Sequence, residues 1–119
     1  MAGALFAAFL LHNGEEALTY ARVRPATEAL TGFDLPAPSP FWAALVIVTI
    51  VGGAVLLWAG TGPDTAARRR ALRLGAAILL LNVLVPHLPA AVLLGGYAPG
   101  VVTAVLVNLP LSLWVLRRV

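Results

Sequence analysis

Leu10-Leu11-His12-Asn13-Gly14-Glu15-Glu16 sets an imidazole and two adjacent carboxylates into a chain that is 61% hydrophobic and only 11% charged. An ionisable group at bilayer depth costs several kcal/mol by most scales, so such a group reads first as functional. At about 100° per residue, His12, Glu15 and Glu16 (i, i+3, i+4) fall within an arc of roughly 100° on one helix face. A second histidine lies far along the chain, in Pro86-His87-Leu88-Pro89. Polar side chains that could serve the same chemistry are Asn82, Thr103 and Asn108.

Two imidazoles and one or two carboxylates form a ligand set suited to zinc or non-haem iron. His12-Asn13-Gly14-Glu15-Glu16 is similar in spacing to the H-x-x-E-H zinc-protease pattern, with Glu16 in place of the last histidine. By that analogy His12, Glu16 and His87 would hold a divalent metal, and Glu15 would act as general base on a bound water. A metal-free enzyme is the alternative: Glu15 or Glu16 exchanges protons with His12 or His87 as an acid/base isomerase or hydrolase, while Asn108 and Thr103 hold a polar head group. The same groups suit a proton- or ion-coupled transporter, with carbonyls freed near Pro86 and Pro89. They also suit a structural role as interhelical polar pairs. The roles of Glu15 and Glu16 stay open at this level.

The elements that must position these residues are membrane helices. The 119 residues read as a single domain, residues 1–119, whose apolar runs are too continuous for a soluble core of that size. Four spans are expected, near residues 2–21, 41–59, 72–94 and 101–116, making an all-α bundle of four transmembrane helices. Residues 22–40, with Arg22, Arg24, Pro25 and further prolines, read as loop with at most a short turn at Thr27 to Leu30. Pro86 and Pro89 are expected to kink or unwind the third helix. The first apolar run lacks the basic start and small-residue cleavage pattern of a secretory signal, so it is read as a span.

All eight basic residues are arginines. Arg68, Arg69, Arg70, Arg73, Arg117 and Arg118 oppose Arg22 and Arg24, which places both termini in the cytoplasm by the positive-inside rule. No basic stripe is interleaved with aromatics, so nucleic acid is not an expected partner. The tryptophans, Tyr20 and Tyr97 read as interface anchors. With no cysteine, disulfides and thiolate chemistry are excluded. The expected surroundings are a lipid bilayer, the bacterial cytoplasmic membrane given the Ala, Leu, Val, Gly and Arg bias, with a homo-oligomer left open. A rise of 1.5 Å per residue puts His12 ~15 Å deep, Glu15 and Glu16 ~20 Å, Asn82 ~14 Å, His87 ~21 Å, Asn108 ~14 Å and Thr103 ~21 Å. Three helices thus offer polar groups to one layer, where a lipophilic or amphipathic small molecule is the expected substrate.

His12-Asn13-Gly14-Glu15-Glu16 resembles the pattern that names the HXXEE family of small bacterial integral membrane proteins, whose biochemical function is unassigned. The likeness extends to Asn82-Val83-Leu84-Val85-Pro86-His87, to Tyr97-Ala98-Pro99-Gly100-Val101-Val102-Thr103-Ala104, and to Asn108-Leu109-Pro110. The resemblance implies a four-helix membrane protein with a metal or acid-base site, and supplies no substrate.

Overall fold

A computed structural model describes all 119 residues, and they form helices only. We number them α1 (Ala2–Thr31), α2 (Pro38–Gly60), α3 (Ala66–Leu93) and α4 (Val101–Leu116), joined by short connections. Two of them, α2 and α3, are long and apolar enough to cross a membrane. The molecule measures 49 × 26 × 18 Å, and α1, at about 1.5 Å per residue, nearly spans its long axis.

The first helix corrects one expectation. Residues 22–31 are helix and not loop, and the connection to α2 shrinks to residues 32–37. Pro25 lies inside the helix, where it costs a backbone hydrogen bond and about 3 kcal/mol. The surrounding residues offset that cost. Arg24 pairs with Glu28 one turn on, 2.8 Å away, and both side chains grip the backbone of Leu35: Arg24 donates to its carbonyl, and its N–H donates to Glu28. Gly32 ends the helix in the left-handed region, φ 70°, donating to the Glu28 carbonyl. Tyr20 and Tyr97 are not free anchors either. Tyr20 is buried, stacks on Phe41 with ring centroids 3.6 Å apart, and donates to the Pro36 carbonyl.

Packing of α1 against α2 uses rings in glycine sockets. A methyl group on Gly52 would lie 2.9 Å from the Phe9 ring, and one on Gly53 would lie 2.8 Å from the Phe6 ring. Above these sockets Asn13 donates to Thr49, 2.7 Å, joining the two helices through the one polar residue in the middle of α2. The main apolar core lies toward the Met1 end of the bundle and includes Leu5, Leu56, Leu72, Ala76, Leu79 and Val115. A smaller cluster of Ala91, Ala98 and Val101 closes the far end. Much of the outer surface is apolar, with Ile47, Ile50, Ile78, Leu81, Val92 and Leu106 all more than half exposed.

Two departures from regular α geometry interrupt the bundle. In α3 the helix is kinked at Val85, whose backbone is extended (φ −148°, ψ 114°), and across the kink Leu88 donates to the Val83 carbonyl. This is the break expected around Pro86 and Pro89, whose missing N–H groups cannot serve Asn82 and Val85. In α4, Ala104–Asn108 form a widened, π-type turn just before Pro110. Residues five apart lie roughly 140° apart on a regular helix. The kink at Val85 brings such a pair together: Asn82 Nδ2 lies 3.2 Å from His87 Nε2.

Candidate functional site

His12 and Glu16 stand one turn apart on α1, and the break in α3 delivers His87 against them. The two imidazoles meet edge to face, centroids 4.6 Å apart at 88°. Glu16 Oε1 lies 3.4 Å from His87 Nε2 and 3.9 Å from His12 Nε2. One ligand atom from each of the three residues lies within 4.8 Å of the others. A tetrahedral zinc site with bonds near 2.1 Å needs ligand atoms roughly 3.4 Å apart, so these side chains could hold an ion with small adjustments. His12 and His87 are buried at 1% and 3%, while the Glu16 side chain is 18% exposed.

The hydrogen bonds fix which imidazole nitrogens are free. Thr103 Oγ1 donates to Glu15 Oε2 at 2.7 Å. The Gly100 carbonyl, 3.2 Å away, is its other acceptor; with the one hydroxyl proton directed to either, Oγ1 meets His12 Nδ1, 3.1 Å away, as an acceptor, and His12 carries its proton on Nδ1. His12 Nε2 is left with a lone pair. The group facing it, Asn82 Nδ2 at 2.9 Å, is then a donor, and the same amide donates to His87 Nε2 at 3.2 Å. Both Nε2 lone pairs therefore converge on one small volume with the Glu16 carboxylate at its edge. A hydroxyl and carboxylate behind a ligating histidine are the outer partners that metal sites use to set ring orientation.

Glu15 points elsewhere. Its carboxylate accepts from Tyr97 Oη (2.9 Å), the backbone N–H groups of Val102 (3.3 Å) and Thr103 (2.8 Å), and the Thr103 hydroxyl. Val102 and Thr103 open α4, so a carboxylate from α1 caps the N-terminus of α4 and meets the positive end of its dipole. Gly100, just before that terminus, closes the site. It sits at φ +79°, and a Cβ there would come within 2.7 Å of His12, 2.8 Å of His87 and 2.9 Å of Glu16. All three candidate ligands thus rest against one bare Cα.

Of the residues expected from sequence, His12, Glu15, Glu16, His87, Asn82 and Thr103 meet in one hydrogen-bonded or contacting cluster. Asn108 does not join it. It is fully buried one widened turn along α4, near Ser112, and no protein group hydrogen-bonds to either side chain. Sequence reasoning missed Tyr97 and Gly100 as site residues. The signal available was the Pro99-Gly100 turn directly before a helix; what it could not reveal was which helix lay beneath.

An all-helical chain with a buried His/Glu cluster able to hold a metal ion is the class these observations define. Residues 4–115 match the model of a family described as protein of unknown function with HXXEE motif, and the chain belongs to that family. Neither the curated proteins nor the solved structures contain a match to it.

Proposed function

We propose that this chain is a four-span membrane protein of the bacterial cytoplasmic membrane, with both termini inside, in which His12, Glu16 and His87 hold a divalent metal and act on a lipophilic or amphipathic small molecule. The observation that carries this reading is the convergence of one ligand atom each from two buried imidazoles and a carboxylate within 4.8 Å of one another. Without a cation only the Asn82 amide N–H groups stand among these electron-rich atoms, and burial of the imidazoles makes a cation there the stronger partner. The donor set of two nitrogens and a carboxylate oxygen suits zinc or iron.

A metal held there would supply Lewis acidity and an activated water. The chain's own residues supply the rest. Thr103, oriented by Glu15, holds the His12 ring in its Nδ1-protonated form. Gly100 covers the imidazoles. Glu16 is the ligand with the greatest exposure, so a substrate arrives along its side of the site. Glu15 has its oxygens occupied by four donors, which favours a positioning role over that of a general base. Substrate from the lipid phase is supported by the apolar surface of the bundle. The same three atoms could share a proton in place of a metal, and acid/base chemistry centred on Glu16 is the second reading.

Metal content of the purified protein, measured by mass spectrometry beside His12→Ala and His87→Ala, tests the proposal. One zinc or iron per chain, lost in both variants, is the expected result. A metal-free parent with pH-dependent activity would transfer the function to the proton-sharing reading. A metal-free, inactive parent whose His12→Ala variant merely melts earlier would reduce the cluster to interhelical pairing.

A further inference from the structure

The geometry points to Asn82 as the fourth ligand of the metal, through Oδ1, with its side-chain amide turning over when the ion binds. This inference rests on the metal reading of His12, Glu16 and His87 and specifies what else that site contains. In the structure Asn82 Nδ2 lies 2.9 Å from His12 Nε2 and 3.2 Å from His87 Nε2, donating to both. An N–H group and a cation cannot share those two lone pairs. His12 has no second free nitrogen to offer, because its Nδ1 is engaged with Thr103. The amide must therefore vacate its position or reverse.

Reversal needs no backbone movement. A half-turn about the last side-chain torsion exchanges nitrogen for oxygen at nearly the same place. Without an ion, Oδ1 in that place would face two lone pairs and be repelled; with one, it is a neutral oxygen ligand completing a four-donor set of two nitrogens and two oxygens. The two amide orientations thus correspond to two states of one site. In the metal-free state the N–H group stands in for the cation, satisfying both imidazoles and holding them in register. Asn82 is set where it can do this by the kink at Val85, which carries His87 round to the same side of the helix.

Cobalt(II) titration of the purified protein, followed by visible absorption and by melting temperature, tests the assignment with Asn82→Asp and Asn82→Leu. Asp is nearly isosteric but places a carboxylate where the donor was. Asn82→Asp should melt earlier than the parent without metal, and bind cobalt at least tenfold more tightly. Asn82→Leu should bind at least tenfold more weakly and show a shifted absorption band, having lost an oxygen donor. Side-chain amide NMR signals of Asn82 should also move on zinc addition to the parent. If the parent binds cobalt but both variants match it in affinity and spectrum, the fourth-ligand assignment is overturned while the three-residue site stands. If the parent binds no cobalt and no zinc, the three-residue site itself fails.

Discussion

At position 15 a carboxylate is ringed by four donors, whereas at position 16 the next carboxylate faces two imidazole lone pairs, so removing charge at each should move stability in opposite directions. Glu15→Gln withdraws an anion from the N-terminus of α4 and weakens charge-assisted bonds, which should lower metal-free stability by about 2 kcal/mol. Glu16→Gln relieves repulsion and should leave metal-free stability equal or higher. For metal the order reverses. Glu16→Gln should bind zinc at least a hundredfold more weakly, and Glu15→Gln, which acts only through Thr103 and the His12 ring, about ten- to hundredfold more weakly. Melting curves in detergent with and without zinc give both quantities, and loss of stability in Glu16→Gln without metal would contradict the assignment. The helical arc already placed His12, Glu15 and Glu16 together in the sequence, but not their division of labour. Adjacent residues on a helix differ by about 100°, enough to aim one carboxylate at α4 and the other at α3, and which neighbour lies on which side is a property of the assembled bundle.

The elements supply what spacing along one helix cannot. Asn82 and His87 are five apart, a separation that predicts different faces on a regular helix and a shared one only across the kink at Val85. Pro86 announced a break in the sequence, though not its register. The extension of α1 to Thr31 was hidden for a related reason: Arg22, Arg24 and Pro25 read as a helix end until Arg24 and Glu28 are seen clasping Leu35. The turn before α4 allows a controlled test. Gly95 and Gly100 share a left-handed backbone, φ +75° and +79°, but a Cβ meets nothing within 4 Å at Gly95 and all three candidate ligands at Gly100. Gly95→Ala and Gly100→Ala therefore carry a similar backbone penalty, about 1–2 kcal/mol each. Only Gly100→Ala should also lower zinc affinity, by tenfold or more. Equal affinities in the two variants would show that the ligands do not depend on the bare Cα.

Across the whole molecule, the arginines gather at one end. The Met1 end gathers the N-terminus, the 61–65 connection and the C-terminus: Ala2 lies against Gly60, Arg68 donates to the Trp58 carbonyl, and Arg73 bonds the carbonyl of Val119. Six arginines belong to that end, Arg68, Arg69, Arg70, Arg73, Arg117 and Arg118, against Arg22 and Arg24 toward the other. On the proposed four-span reading, the positive-inside rule would put the Met1 end in the cytoplasm, the 32–37 and 94–100 connections outside, and the His/Glu cluster in the outer half, beneath the 94–100 turn. Only α2 and α3 are long and apolar enough, by length and composition, to cross a membrane. Helix α1 carries His12, Glu15 and Glu16 within its length, and α4 has 16 residues, about 24 Å of rise, so both depend on their neighbours to lie across a bilayer. Reporter fusions inserted after Asp34, after Gly62 and after Gly96, and one at the C-terminus, should report outside, inside, outside and inside. If the Asp34 and Gly62 reporters fall on one side, α2 does not cross. If the Gly96 reporter and the C-terminus fall on one side, α4 lies along the surface, and the cluster would then be reached from water and not from lipid.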